Sequence, residues 1–154
     1  MRIDVEFLKS LEGWNECDLD AFREFLVGRD HITDTIEDLQ AAADAGLDVL
    51  WWIEAGELTV EGIATQGARH WYKNGKEHRE GAPAAECFSG AEFWYQNGLL
   101  HRDDGGPAVV NIKGTQRWYQ NGLLHRDDGG PAVVRANGDC VWYEDGNWIR
   151  EERP

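Results

Sequence analysis

WYQNGLLHRDDGGPAVV, residues Trp94–Val110, recurs letter for letter at Trp118–Val134. Looser copies flank the pair: WYKNGKEHREGAPAA at Trp71–Ala85 and WYEDGNWIR at Trp142–Arg150. Self-similarity at a fixed period marks a repeat array, in which each unit buries surface against its neighbours. Two turn signals recur in each unit. Asn74-Gly75, Asn97-Gly98, Asn121-Gly122 and Asp145-Gly146 favour the left-handed backbone of a type I′ hairpin turn. Gly67, Gly90, Gly114 and Gly138, spaced 23, 24 and 24 residues apart, mark the second turn. Two turns per unit leave two strands, so the array is expected to be an antiparallel β-meander of about eight strands.

A two-residue turn also fixes register. Around Asn121-Gly122, Gln120 is expected opposite Leu123, Tyr119 opposite Leu124 and Trp118 opposite His125. Side-chain alternation then places Trp118 and His125 on one face, with Tyr119, Leu124 and Arg126 on the other. The same pairing brings Trp94 to His101 and Trp71 to His78, and predicts Trp–His stacking across each hairpin. In the last copy Ile149 takes the histidine position, opposite Trp142. Proline donates no ladder hydrogen bond, so the second strand should bend at Pro107 and Pro131 and resume at Ala108-Val109-Val110 and Ala132-Val133-Val134.

Residues 1–66 read differently. In DLDAFREFLVG, Phe22, Phe25 and Leu26 fall at helical spacing, with Asp18 or Asp20 as N-cap and Gly28 as the stop. In TDTIEDLQAAADAG, Thr33 or Asp34 caps a helix whose stripe is Ile36, Leu39, Ala42 and Ala43, and Gly46 ends it. DVLWWIEAG is apolar nearly all round and reads as a short buried helix or a strand start, the helix being favoured. The expected fold class is α+β: a short acidic N-terminal helical segment over 1–66, then a repetitive antiparallel β-meander of hairpins over 67–154.

The chain has 154 residues and a net charge of −14. Residues 1–66 hold 16 acidic and 4 basic residues, a net −12, whereas residues 67–154 hold 13 and 11, a net −2. Such a field repels nucleic acid and anionic membrane and attracts basic partners. Glu24, Asp30, Asp34, Glu37, Asp38 and Asp44 lie mostly opposite the apolar stripes and form a candidate face for a basic partner protein. The same charges also serve a solvated surface. The opening MRIDVEFLKS lacks the pattern of a secretory signal, and no apolar run reaches membrane-spanning length. Three scattered cysteines form neither a disulfide framework nor a metal-ligand spacing, which suits a cytoplasmic setting.

His78, His101 and His125 recur in register, each followed by Arg. Equivalent residues of adjacent two-strand units lie roughly 10 Å apart, too far to share a metal. Asp103-Asp104 and Asp127-Asp128 precede Gly-Gly-Pro and read as turn formers paired with the neighbouring Arg. No phosphate-cradling glycine motif is present. No catalytic residue, metal or cofactor is expected. A second candidate binding face lies on the repeats, at Tyr72, Tyr95 and Tyr119 with Arg102 and Arg126. These residue types also stack and neutralise nucleic acid, but the charge balance opposes direct nucleic-acid binding.

WYxNGxxHR followed by Gly-Pro-Ala and a further Gly turn resembles the MORN-type repeat family, in the YwqK-like variant found in phage and bacterial proteins. The aromatic, glycine and histidine of that family's core correspond to Trp118, Gly122 and His125. Arg126-Asp127-Asp128 stands where the family continues His-Gly-x-Gly, so this is a divergent form. The resemblance covers about Gly67–Arg150. It implies an array used for protein contacts, and its membrane-associated versions do not suit this acidic chain. With the charge segregation it leads to one expectation: a non-catalytic protein-binding protein of phage or prophage type, in the cytoplasm of a bacterial host. Such a protein would inhibit a host defence or nucleic-acid-handling protein through an acidic, nucleic-acid-mimicking surface, an anti-CRISPR-like inhibitor being one form. The alternative is a scaffold or antitoxin-like module that binds through the repeat sheet.

Overall fold

The computed structural model describes residues 2–3, 5–10, 26, 32–33, 35–65 and 67–154. The helix expected within 18–28 lies, Leu26 apart, outside them, as do Glu24, Asp30 and Asp34. The chain divides into two compact units, one of residues 1–66 with 70–76, the other of 67–69 with 77–154.

In the first unit β1 (Arg2–Ile3) pairs antiparallel with β2 (Ile32–Thr33). Helix α1 (Val5–Ser10) follows β1, while α2 (Ile36–Asp44) and α3 (Val49–Ala55) follow β2. Strand β3 (Val60–Ala64) pairs with β4 (Ala68–Lys73), whose residues from His70 onward belong to this unit. The N-cap of α2 is Thr35, where Thr33 or Asp34 was expected. The reason is a reciprocal box. Asp38 N–H donates to Thr35 Oγ1 at 3.4 Å, and the Asp38 carboxylate accepts from Thr33 N–H and Thr33 Oγ1 at 2.7 Å each. At the other end Gly46, with φ of 84°, donates to Ala43 O at 2.9 Å, and Leu47 N–H donates to Ala42 O at 3.1 Å. That pair of bonds is a Schellman closure, which glycine accommodates without strain.

The apolar stripe of α2 then packs as its spacing requires: Leu39 and Ala42 are buried, Ile36 and Ala43 partly so. They meet Val49, Trp52 and Ile53 of α3, Ile3 of β1, Val60 and Ile63 of β3, and Leu58. Full burial of side chains as large as Trp52 and Ile53 contributes about 1.5–3 kcal/mol apiece. Tyr72 belongs to this cluster. It is only 3 % exposed, and its hydroxyl donates to Glu54 Oε1 at 3.3 Å. The expectation that Tyr72 forms part of an exposed repeat face is therefore corrected: its ring is core.

The remaining strands in chain order are β5 (Lys76–Glu77), β6 (Ala85–Cys87), β7 (Glu92–Phe93), β8 (Tyr95–Gln96), β9 (Leu99–Leu100), β10 (Val109–Val110), β11 (Gln116–Arg117), β12 (Tyr119–Gln120), β13 (Leu123–Leu124), β14 (Val133–Val134), β15 (Cys140–Glu144) and β16 (Asn147–Glu152). Within the second unit β6, β7, β10, β11, β14, β15 and β16 neighbour one another in that order, all antiparallel. The chain is thus a β-rich fold built on a large antiparallel meander. Hairpins β8–β9 and β12–β13 stand apart as separate two-stranded ladders. The expected long strands are broken because Trp94 and Trp118 donate to Ala108 O and Ala132 O at 2.7 and 2.8 Å, and the residues before those alanines are Pro107 and Pro131. A proline has no N–H to return, so the sheet ladder ends there and the hairpin continues as a separate two-stranded ladder.

Both central residues of each Asn-Gly turn take positive φ, for example 49° at Asn121 and 82° at Gly122, which is type I′ geometry. The observed registers, Tyr119 to Leu124 and Gln120 to Leu123, match those the turn dictates. The buried side chains of the second unit are mostly small: Ala84, Ala108 and Ala132 are fully enclosed, beside Val109, Val133 and Val141, with Trp118 the large exception.

Gly75 is held most tightly among the turn glycines. A Cβ there would stand 2.6 Å from Glu54 O and 2.7 Å from the Glu57 Cα, with φ of 68°. At Gly114, with φ of 85°, a Cβ meets nothing within 4 Å. Gly114→Ala is expected to cost only the left-handed strain, about 1–2 kcal/mol. Gly75→Ala should cost that and a backbone collision in addition, exceeding it by about 1–3 kcal/mol in urea unfolding. Equal losses would contradict the close packing of this turn.

Candidate functional site

Adjacent copies are joined through the turns. Each turn presents two successive N–H groups, and both dock on the preceding copy. Gly98, Gly122 and Gly146 donate to Glu77 O, Leu100 O and Leu124 O at 2.8, 2.8 and 3.0 Å. Asn97, Asn121 and Asp145 donate to the Nδ1 atoms of His78, His101 and His125 at 3.1, 3.1 and 3.2 Å. A backbone N–H can only donate, so at His78 and His101 the Nδ1 atom acts as acceptor, while His125 Nδ1 also lies 3.1 Å from the Asp145 carboxylate. The Nε2 atoms face the acid two residues on: Glu80 at 3.7 Å, Asp103 at 2.7 Å and Asp127 at 3.3 Å.

The first unit makes the same pair of bonds with other residues. Gly75 N–H donates to Leu58 O at 2.8 Å, and Asn74 N–H donates to Thr59 Oγ1 at 3.1 Å. Thr59 replaces the imidazole with a hydroxyl acceptor. Nothing in the repeat spacing pointed to Leu58-Thr59, because the equivalence is one of atoms and not of sequence.

The arginines behave otherwise than the alternation predicts. Arg102, Arg126 and Arg150 lie over the rings of Trp94, Trp118 and Trp142, 3.7, 4.1 and 4.1 Å from the ring centres. Arg126 therefore shares a face with Trp118, which corrects the expected placement on the opposite face. The hairpin's last backbone bond is from His125 N–H to Trp118 O at 3.1 Å, and alternation no longer governs Arg126 beyond it. The expected Trp–His stacks are replaced in these copies by Arg–Trp stacks, since the His101 and His125 rings turn to the next copy. In the last copy the opposite number of Trp142 is Arg150, not Ile149; Tyr143 faces Trp148, and Ile149 is the extra residue of a bulge.

The acidic pairs after these arginines shape the loop. Asp104 grips Arg102 through two bonds, at 2.6 and 3.0 Å, and accepts from Gly106 N–H at 2.9 Å. Arg102 also donates to Pro107 O at 3.1 Å. A Cβ on Gly106 would stand 2.5 Å from the Arg102 guanidinium, so the Gly-Gly-Pro run is glycine-rich to let that plane lie against the backbone. Copy three repeats the arrangement, with Arg126 2.9 Å from Asp128 and Gly130 N–H on Asp128 at 2.8 Å. Trp118 and Trp142 complete it, their indole N–H groups donating to Gly105 O and Gly129 O of the preceding loop at 2.9 and 3.2 Å. Trp94 Nε1 has no such acceptor; the preceding loop, Arg79 to Pro83, is one residue shorter than Arg102 to Pro107.

Of the acidic candidates within the described residues, Glu37 and Asp44 are exposed on α2, with Asp44 accepting from Gln40 at 2.9 Å. Asp38 is occupied with capping. Of the repeat-face candidates, Tyr95 and Tyr119 are half-buried, and burial together with Glu77 and Tyr119 pushes the Tyr95 hydroxyl above the ordinary tyrosine range. Among the described residues no group of three or more His, Cys, Asp or Glu side chains is placed to hold a metal ion, and no helix is long and apolar enough to cross a membrane. No protein-family model matches the sequence, and neither a curated protein nor a solved structure does.

Two expectations test this geometry. His101→Leu removes the protein acceptor of the exposed Asn121 N–H and should lower the unfolding free energy by about 0.5–1.5 kcal/mol. His101→Asn keeps an acceptor near the Nδ1 position and should recover part of that; equal losses would mean the acceptor does not matter. The second concerns acid. Asp103 is held below the ordinary carboxylate range by His101 and then Gln96, Asp104 by Arg102 and then Gly106, and Asp128 chiefly by Gly130 N–H and then Arg126. Each folded value lies below the unfolded one, so the stabilisation is complete above about pH 3.9 and is lost as pH falls through the depressed values. A variant carrying Asp104→Asn and Asp128→Asn should show a flatter fall in urea midpoint from about pH 5 to about pH 2 than the parent. Unchanged acid sensitivity would contradict the assignment.

Proposed function

We propose that the chain is a non-catalytic protein-binding protein of phage or prophage type, which inhibits a host protein by offering it an acidic surface. The observation that carries this reading is a division of labour. In the repeats, the histidines, the acidic pairs and the stacked arginines bond to their own chain, copy to copy. The excess negative charge lies elsewhere, with net −12 in residues 1–66 against −2 in the rest. A surface of that sign steers basic partners and slows nucleic acid and anionic membranes. A host protein that handles nucleic acid carries such a basic surface, and an anti-CRISPR-like inhibitor is one form of the reading.

A second reading, the scaffold or antitoxin-like module, draws support from Leu99 and Leu123. Both are 49 % exposed, in equivalent positions of neighbouring hairpins, each beside the next turn glycine, where an added Cβ would lie 3.5 and 3.4 Å from the leucine. Apolar side chains in such a row suit a protein contact on the array itself.

Capture from a bacterial lysate followed by mass spectrometry identifies the partner, and charge reversal then separates the readings. Glu37→Lys with Asp44→Lys should weaken partner binding about tenfold or more at low salt, with little change in melting temperature. Asp38 is left intact because it caps α2. Leu99→Ser with Leu123→Ser should have little effect. The opposite pattern would overturn the acidic-surface reading in favour of the scaffold.

A further inference from the structure

The last copy of the repeat departs from the others in a way that makes a site. Between copies two and three runs a small groove of about 100 Å³, floored by Trp118, Tyr119 and Gln120 and walled by Arg126, Asp127 and Asp128. Twenty-four residues on, the equivalent groove has Trp142, Tyr143 and Glu144 as its floor and a volume of about 290 Å³. It is wider because one wall is gone. In copy three the chain after the histidine folds back as the Asp-Asp-Gly-Gly loop; in copy four the corresponding residues, Arg150, Glu151 and Glu152, run straight on in β16.

The polarity of the groove is also inverted. In the internal copies a glutamine on the floor donates to a carboxylate of the chain's own loop: Gln120 to Asp127 at 2.9 Å, and Gln96 to Asp103. The histidine beside it faces the same carboxylate. In the terminal copy Glu144 replaces the glutamine and Ile149 replaces the histidine. A floor that twice receives an acid now presents an acid itself, next to an apolar side chain. Glu144 is exposed and has no side-chain partner among the described residues. Asp127 lines the same groove. Arg126 and His125 line the groove as well; Arg126 is paired with Asp128 and stacked on the Trp118 ring, and Arg150 lies over the Trp142 ring and, at 3.5 Å, by Glu152.

We propose that this terminal groove receives a basic side chain, arginine or lysine, from the surface of a partner protein. Its charged head would meet Glu144, with Asp127 adding to the field, and its aliphatic stem would lie along Ile149, Trp142 and Tyr143. Long cationic side chains bury their stems in this manner while the head stays at a polar rim. The proposal rests on the reading of a basic partner, and moves part of its recognition from the acidic helices onto the end of the array.

The test is a titration of the full chain with a capped arginine-rich peptide at low ionic strength, followed through the indole N–H resonances of Trp142 and Trp148. A glutamate-rich peptide is the control, and Glu144→Gln and Ile149→His, which restore the internal pattern, are the variants. The expected result is a shift of the Trp142 resonance and an affinity reduced about threefold or more in Glu144→Gln, the scale of one partly exposed ion pair. Equal affinity and equal shifts in Glu144→Gln would overturn the groove and leave the basic-partner reading standing, as would loss of binding only in Glu37→Lys with Asp44→Lys. Failure of the parent chain to bind the arginine-rich peptide would overturn both.

Discussion

Two adjacent N–H groups in a left-handed turn point the same way, and the repeats are built on that fact. A type I′ turn cannot bond these donors within its own hairpin, and each intramolecular bond they make instead contributes about 0.5–1.5 kcal/mol. The preceding copy supplies the acceptors: a carbonyl one residue before the histidine, and the histidine's own Nδ1. Each copy thus gives two donors at its turn and offers two acceptors at its second strand. Thr59 and Leu58 supply that acceptor pair in the first unit. Ile149 withdraws it in the last copy, where the side chain has no lone pair to offer.

The residue choices around this junction follow. Asn or Asp precedes glycine because these tolerate positive φ. Glycines precede proline because the arginine plane lies where a Cβ would be. Alanine follows proline because the interior between neighbouring strands is thin. Chemically active residue types are abundant in this array, yet their hydrogen-bonding capacity is directed at the next copy or at their own loop. That is why the proposed binding surfaces lie where the pattern is absent or breaks, in the acidic N-terminal residues and at the final copy.

Much of this was legible from the turns. An Asn-Gly pair dictates both φ signs and register, and β12–β13 follow it. The α2 stripe was equally plain, because a 3.6-residue period leaves few alternatives. Most of the misses depend on atoms distant in sequence or on where a pleat ends. Alternation cannot say that pairing stops after His125, so Arg126 was assigned to the wrong face. It cannot foresee the bulge that sets Arg150 opposite Trp142. Thr35 caps α2 because Asp38 reaches back to Thr33, a choice among three adjacent polar residues that composition does not rank. Tyr72 matches Tyr95 and Tyr119 in the repeat, but its neighbours are Glu54 and the helical core. The terminal groove did have a signal, the departure of Glu144 and Ile149 from the copies before them, and its meaning required knowing what Gln120 and His125 touch.

The most direct measurement is native-state amide hydrogen exchange resolved at Asn97, Gly98, Asn121, Gly122, Asp145 and Gly146. These residues sit at exposed turns, where amides ordinarily exchange freely. If the copies are joined as described, all six amides are protected to the level of the strand amides of Val109 and Val133. Rapid exchange at these turns with the strands still protected would contradict the account at its centre.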